Sequence, residues 1–123
     1  MQGETGPGFA IVHSDDVETA GNWRLVRRTL GLRSFGVNAV EVMPGDTLPE
    51  HDELDRDQEE LFFAVAGDAV LVIDGFDHPL PAGTYARVDP SHQRTVRNDG
   101  ERPATVLIAS APTTSGYEPM GWA

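Results

Sequence analysis

Four polar side chains in the middle of the chain could act together. His51 and Glu53 are two residues apart, so on an extended segment both side chains point to one face. Glu60 shares a face with Phe62 on the run that follows, and Arg94 begins a third extended run. These residues predict a cup in which one imidazole, two carboxylates and one guanidinium converge among apolar groups, which is typical of a small-molecule pocket.

Three roles for this cluster remain open. Arg94 could form a bidentate ion pair with Glu60 or Glu53 and hold both carboxylates ionised. Alternatively, Arg94 could bind an anionic small molecule, with His51 contributing one more hydrogen bond. In the third role His51, Glu53 and Glu60 hold a divalent metal, and this oxygen-rich donor set suits Mn or Fe better than Ni or Zn.

Short β-prone runs, separated by glycine, proline and aspartate, dominate the chain from residue 23 onward. No segment has an apolar repeat of helical period over three turns, and the runs are too closely spaced for βαβ crossovers. Tight hairpins are predicted at Gly67-Asp68 and Asp74-Gly75, and a turn at residues 98–100. The pattern predicts an all-β fold in antiparallel sheets, with strands in WRLVRRTL, FGVNAVEVM, ELFFAVAG, AVLVIDG, TYARV, RTVRN and ATVLIAS.

The length of 123 residues is that of one ordinary domain, and no internal repeat divides it. We expect a single domain over residues 1–123, with an N-terminal arm over about 1–35, a barrel over about 36–111 and a C-terminal tail over 112–123.

The C-terminal tail carries Tyr117, Met120 and Trp122, which are costly to leave in water. We therefore expect it to pack on the barrel or across the interface of a homodimer. Residues 9–13 could add a strand at a sheet edge in the same assembly.

The composition excludes several classes of function. The chain has no cysteine and no lysine, which removes disulfides, thiolate metal sites, cysteine nucleophiles and Schiff-base chemistry. The formal net charge is −11 and the arginines are scattered along the chain, so we expect no nucleic-acid partner. No segment approaches the roughly 18 apolar residues that a membrane span needs, so we expect no membrane partner and a cytoplasmic location.

Two stretches of the sequence resemble the paired motifs of the cupin superfamily. The first motif, G-x5-H-x-H-x3,4-E-x6-G, is similar to the run at Gly45, His51, Glu53, Glu60 and Gly67. The second, G-x5-P-x-G-x2-H-x3-N, is similar to Gly75, Pro81, Gly83 and, further on, Asn98. The resemblance extends over about residues 36 to 111. It implies a small single-domain, type-2-like cupin with a double-stranded β-helix, or jelly-roll, barrel.

The resemblance also implies a metal site, from which this sequence departs twice. The family holds a metal with two histidines and a glutamate of the first motif and one histidine of the second. Here Glu53 stands at the second histidine position, and Arg94, four residues before Asn98, stands at the last. Because arginine cannot coordinate a metal, the site is degenerate. His92 is a rival for the last ligand if its strand is regular, and otherwise an exposed loop residue.

Two further expectations concern the pocket. The loop between Glu53 and Glu60 is longer than the motif allows, so Asp55, Asp57 or Glu59 competes for the inward position, although the spacing to Gly67 favours Glu60. Tyr85 is expected to line the pocket with Phe62.

The principal hypothesis is a cupin-like small-molecule binding or regulatory module with a degenerate, metal-free site. In it, Arg94 neutralises the inward carboxylates and helps to hold a small polar or anionic molecule. One alternative is a metal-dependent cupin enzyme of the oxygenase, isomerase or decarboxylase type that uses His51 and the carboxylates. The other is a structural or assembly role as a homodimer.

Overall fold

The structure, a computed structural model, describes residues 3–123. In chain order its strands are β1 (Glu4–Gly6), β2 (Phe9–Ile11), β3 (Thr19–Ala20), β4 (Trp23–Arg24), β5 (Gly36–Val42), β6 (Gln58–Ala66), β7 (Asp68–Ile73), β8 (Phe76–Pro81), β9 (Tyr85–Val88), β10 (Arg94–Arg97) and β11 (Ala104–Pro112). The helices of the described chain are a 3₁₀ turn at Ser14–Asp16, α1 (Val26–Leu30) and a 3₁₀ turn at Leu54–Arg56. None of them is long enough to span a membrane.

Two antiparallel sheets enclose the core. One has the strand order β3-β4-β5-β11-β6-β9 and the other β10-β7-β8, while β1 and β2 pair with each other. Every named strand pair within residues 3–123 is antiparallel. The predicted all-β, antiparallel jelly-roll fold is confirmed.

The inner face of β6 shows how the sequence builds the core. Glu60, Phe62 and Ala64 are buried, whereas Leu61 and Val65 are exposed and Phe63 is half-buried. This period of two is what a strand with one face on a core requires. Both sheets contribute to the apolar core, which contains Val40, Val42, Phe62, Ala64, Ala69, Leu71, Leu80, Val88, Val96, Ala104 and Val106.

One of the two predicted hairpins is formed, and its turn follows from backbone geometry. Asp74 and Gly75 between β7 and β8 have φ of 51° and 82°, the two positive values of a type I′ turn. The hairpin predicted at Gly67-Asp68 is wrong, because β6 and β7 lie in different sheets and do not pair. Gly67 instead bends the chain from one sheet to the other with a positive φ of 80°, and an added Cβ would lie 2.7 Å from the carbonyl oxygen of Pro103. A side chain at Gly67 would therefore strain the turn and collide with the neighbouring backbone.

The predicted strand over residues 23–30 is wrong beyond its first two residues. Only Trp23–Arg24 pairs with β5, and Val26–Leu30 forms one turn of helix. Gly31 stops this helix in the left-handed conformation, with φ of 72°, and its N–H donates back to the last turn. This C-cap is a local signal that favours the helix.

The tail does not bury its large side chains on the barrel. Tyr117, Met120 and Trp122 are 75%, 65% and 84% exposed. The expectation that the tail packs on its own barrel is therefore wrong, and burial across a homodimer interface stays a prediction.

Candidate functional site

Backbone pairing brings His51 opposite Arg94. The segment before His51 runs antiparallel along β10, with an isolated bridge between Thr47 and Arg97 and another between His51 and Arg94. The His51 N–H donates to the Arg94 carbonyl at 3.1 Å, and the Arg94 N–H donates to the His51 carbonyl at 2.8 Å. Directly opposed residues of an antiparallel pair present their side chains on the same face, so both belong to one site.

The extra residues between Glu53 and Glu60 fold into a compact turn. They form the 3₁₀ turn at Leu54–Arg56, which ends at Asp57 in the left-handed conformation with φ of 52°. β6 then begins, and Glu60 enters the barrel while Glu59 stays exposed. Of the competing carboxylates, Glu60 takes the inward position, as the spacing to Gly67 favours.

Three potential ligand atoms converge at the mouth of the barrel. His51 Nε2 lies 3.1 Å from Glu53 Oε1 and 3.9 Å from Glu60 Oε1. The three residues offer one donor atom each within 4.8 Å of one another. His51 Nδ1 lies 3.2 Å from the carbonyl oxygen of Pro49, a contact that orients the ring. The His51 side chain is half exposed, and that of Glu60 is only 9% exposed.

Arg94 is fully buried beneath this cluster. Its Nη1 donates to Glu60 Oε1 at 3.1 Å, and its Nη2 donates to the carbonyl oxygen of Asp89. Its Nε is buried without a hydrogen-bond partner. The ion pair therefore joins Arg94 to Glu60 rather than Glu53, and it uses one nitrogen, not the bidentate pair expected from the sequence.

Burial raises the pKa of the Glu60 carboxyl above its usual range, and the neighbouring Glu53 carboxylate raises it further. Arg94 and His51 act in the opposite direction but do not offset these two effects. The buried guanidinium of Arg94 therefore stabilises the charged form of Glu60 against the effect of burial.

The cluster forms one end of a cavity of about 320 Å³ in the barrel mouth. This volume lies at the lower end of the range of about 300–1,000 Å³ that is common for ligand pockets. Apolar walls come from Trp23, Leu48, Phe62, Val96 and Ile108, and polar groups from Asn38, His51, Glu53, Arg56, Gln58, Glu60, Arg94, Thr95 and Ser110. The barrel pocket is therefore a small apolar cup with a polar end.

Two residues assigned to the site from sequence lie elsewhere. Tyr85 is opposite Phe63 in the register of β6 and β9, stacks on it with ring centroids 4.4 Å apart, and is 70% exposed. It is on the outer face of the sheet and does not line the pocket. His92 precedes the start of β10 at Arg94, and its Nδ1 lies 2.5 Å from Asp74 Oδ2. It lies in the exposed loop and is not a member of the donor cluster.

Several pocket residues escaped the sequence reasoning. Gln58 could have been found, because it is two residues before Glu60 on the same strand face. Trp23 and Asn38 come from strands whose register with the rest of the sheet is set only in the folded chain. Arg56 lies within an acidic loop, and nothing in that loop's sequence indicates that it borders the cavity.

A divalent metal is the cofactor that the sequence resemblance implies, and the donor set can be tested for it. One nitrogen and two carboxylates within 4.8 Å would suit Mn or Fe. However, the Glu60 oxygen that faces His51 already accepts a hydrogen bond from Arg94, and a guanidinium keeps its positive charge and offers no lone pair. The residues present do not fit the four-ligand metal centre.

A comparison with known protein families identifies the family of the barrel. The family model "Cupin domain" matches residues 38–110. No curated protein sequence matches the chain.

Similar solved structures support the same fold. A cupin protein from Bacteroides fragilis is 19% identical, with 91% of this chain and 94% of that chain covered and a TM-score of 0.72. A cupin-superfamily sugar phosphate isomerase from Silicibacter pomeroyi is 24% identical, with coverage of 83% and 75% and a TM-score of 0.69. A predicted oxalate decarboxylase from Thermotoga maritima is 16% identical, with coverage of 83% and 98% and a TM-score of 0.69. At these identities the likeness is one of fold.

Proposed function

We propose that this chain, which belongs to the cupin domain family, is a metal-free binding module for a small polar ligand. The observation that carries the proposal is the ion pair between Arg94 Nη1 and Glu60 Oε1 at 3.1 Å. The pair places a permanent positive charge of the protein beside the carboxylate that a metal would need. A divalent cation at this point would be repelled by the fully buried guanidinium.

The groups left for a ligand are Glu53 and His51. The Glu53 side chain is 15% exposed and contacts His51 Nε2 across the pocket end. A carboxylate and an imidazole at hydrogen-bonding distance bind hydroxyl or amide groups well, because one accepts a hydrogen bond and the other can donate or accept. Arg94 uses two of its five N–H donors within the protein and is fully buried, so it does not present an exposed pair of donors to an anion at this end.

The rest of the pocket favours a ligand with an apolar part. Trp23, Leu48 and Phe62 form its walls, so that a ring or short alkyl group would displace water from apolar surface. A small molecule with a hydroxyl-bearing end and an apolar body matches both halves of the cavity.

Metal content is the first test. Untagged protein is incubated with Mn, Fe, Ni and Zn, dialysed and measured by elemental mass spectrometry beside His51→Ala. We expect no retained metal in either protein, and a gain of binding in Arg94→His, which restores a ligand in place of the cation. One metal per chain in the parent that is lost in His51→Ala would overturn the proposal and favour a metal-dependent cupin enzyme.

Ligand binding is the second test, and Trp23 is its reporter. A Trp122→Phe background leaves Trp23, in the pocket wall, as the sole tryptophan. A panel of neutral monosaccharides and aromatic alcohols should include members that change its fluorescence saturably. The change should be lost in Glu53→Gln and retained in Glu59→Gln, the exposed neighbour of Glu60. A panel without any saturable change would contradict the proposed ligand class.

A further inference from the structure

A second cavity opens beside the barrel pocket. It has a volume of about 510 Å³ and lies between the segment around α1 and the turn that precedes β6. The two cavities share part of their lining, namely Gly36, Asn38, Arg56, Gln58 and Ser110. The two cavities are therefore adjacent, and a ligand held in the barrel pocket would lie next to this outer cavity.

The outer cavity has an unusual charge for this protein. The chain has 20 acidic and 9 basic residues, and a formal net charge of −11. Yet Arg27, Arg33 and Arg56 all line this cavity, and none of its lining residues is acidic. We call it the arginine cleft. It is a local concentration of positive charge on a strongly negative molecule.

Most other arginines of the chain are neutralised by a carboxylate. Five of the nine form ion pairs within residues 3–123, namely Arg24, Arg28, Arg87, Arg94 and Arg97. Four have no carboxylate partner in that part of the chain, and three of those four line the arginine cleft. Three of these four unpaired positive charges are thus gathered at one place, although Arg56 belongs to a different segment of the chain from Arg27 and Arg33.

Two acidic residues of neighbouring segments make contacts outside the arginine cleft. Glu18 pairs with Arg28 at 3.4 Å, and Asp57 accepts a hydrogen bond from the Thr113 hydroxyl. Arg27 donates to the carbonyl oxygen of Leu32 at 3.1 Å, which braces the loop that carries Arg33. The guanidinium groups of Arg33 and Arg56 form no hydrogen bond within residues 3–123, so their donors are available to a ligand.

We propose that the arginine cleft binds an oxyanion, and that the ligand of the barrel pocket carries such a group at its outer end. A guanidinium binds phosphate or carboxylate oxygens through charge-assisted hydrogen bonds, and two or three of them around one cavity hold a polyoxygen anion from several sides. The second half of this proposal rests on the proposed binding function of the pocket. The first half does not, because the cleft can bind a free anion by itself.

The test measures the affinity for inorganic phosphate and for succinate by chemical-shift titration of the full chain. The variants are Arg33→Gln with Arg56→Gln, and Arg102→Gln as the matched control. Arg102 is the remaining arginine without a carboxylate partner, and it lies at the other end of the barrel beside Gly100 and Pro103. Arg27 is left unchanged because it supports the loop. His51→Ala reports on the barrel pocket.

We expect the double variant to lose at least about tenfold in affinity for the anion, because charge-assisted hydrogen bonds are lost. Arg102→Gln should bind the anion as the parent does. Tighter binding of phosphate than of succinate would identify a phosphate site, and the reverse a carboxylate site. Equal affinities in the parent, the double variant and Arg102→Gln would overturn the proposal. If neutral panel members bind the pocket but their phosphate or carboxylate derivatives bind the parent and the double variant equally tightly, only the second half of the proposal is overturned.

Discussion

Replacing Arg94 by methionine tests the central ion pair of the site. The side chain of Arg94 is fully buried, and it donates to Glu60 Oε1 at 3.1 Å and to the carbonyl oxygen of Asp89. Methionine keeps much of the length and removes the charge and the donors. The replacement leaves Glu60, which is itself only 7% exposed, without a cation at its side.

The expected cost at neutral pH is about 3–5 kcal/mol of unfolding free energy, as for other buried pairs that lose one partner. This is a large part of the roughly 5–15 kcal/mol that a domain of this kind possesses, so the variant should fold but unfold at clearly lower urea concentration. Combining Arg94→Met with Glu60→Met removes the uncompensated charge, and it should restore a large part of the loss.

The cost should also depend on pH. The folded pKa of Glu60 is raised, so its contribution to stability is fully present below its ordinary pKa and is lost as the pH rises through the folded value. Without Arg94 the folded pKa is raised further, and this loss extends to higher pH. The difference between parent and variant should therefore be small near about pH 4 and grow towards about pH 7.

Urea unfolding followed by circular dichroism at several pH values measures this difference. Arg97→Met is the matched control, since Arg97 is on the same strand but pairs with Asp77 and Asp99 at the surface. We expect its effect to be smaller and to decrease with added salt. A cost of Arg94→Met that is the same across this pH range, or a double variant no more stable than the single one, would refute the role assigned to the pair.

Three further predictions follow from other parts of the structure. Asn98→Ala should lower the unfolding free energy, measured by urea titration, by about 2–4 kcal/mol. The reason is that the fully buried amide of Asn98 makes three hydrogen bonds around the turn after β10. An effect no greater than that of an exposed Asn→Ala change would contradict this. Hydrogen bonding from His92 lowers the pKa of Asp74. The stabilisation from the charged Asp74 is therefore present above its ordinary pKa and is lost as the pH falls. In acid unfolding, the greater stability of the parent over Asp74→Asn should vanish at low pH, and a difference that stays constant would contradict this. Removing residues 113–123 should convert a homodimer to a monomer in light scattering, because the tail exposes three large apolar side chains. A truncated chain that remains dimeric would exclude the tail from the interface.

The all-β fold could be predicted because its signals are local. Period-two burial on β6 and the positive φ values at Asp74 and Gly75 both follow from neighbouring residues in the sequence. Where the prediction failed, at Val26–Leu30, β-prone residues were outweighed by the glycine that follows them. A single helical turn is too short for hydrophobic periodicity to reveal.

The four polar residues at the pocket end could be predicted from the sequence, but the contacts among them and the rest of the pocket lining could not. Alternation correctly put His51, Glu53, Glu60 and Arg94 together. Alternation could not place Tyr85, because its face depends on the register of β9 against β6, which is set in the folded chain. Alternation also could not show that Arg94 pairs with Glu60 rather than Glu53, or that its second terminal nitrogen donates to the carbonyl oxygen of Asp89. Both contacts depend on how separate segments meet in the folded chain.

The arginine cleft shows most clearly what sequence order conceals. Along the chain the arginines are scattered, and the sequence therefore predicts no continuous basic stripe for a nucleic acid. Folding nevertheless brings Arg27, Arg33 and Arg56 around one cavity. The inner pocket end, with two carboxylates and one engaged guanidinium, is unfavourable for an anion, whereas the outer cleft favours one. Because the two cavities are adjacent and share lining residues, their opposite charge preferences would impose one orientation on a ligand that reaches both, with its anionic group outward and its hydroxyl-bearing end towards His51 and Glu53.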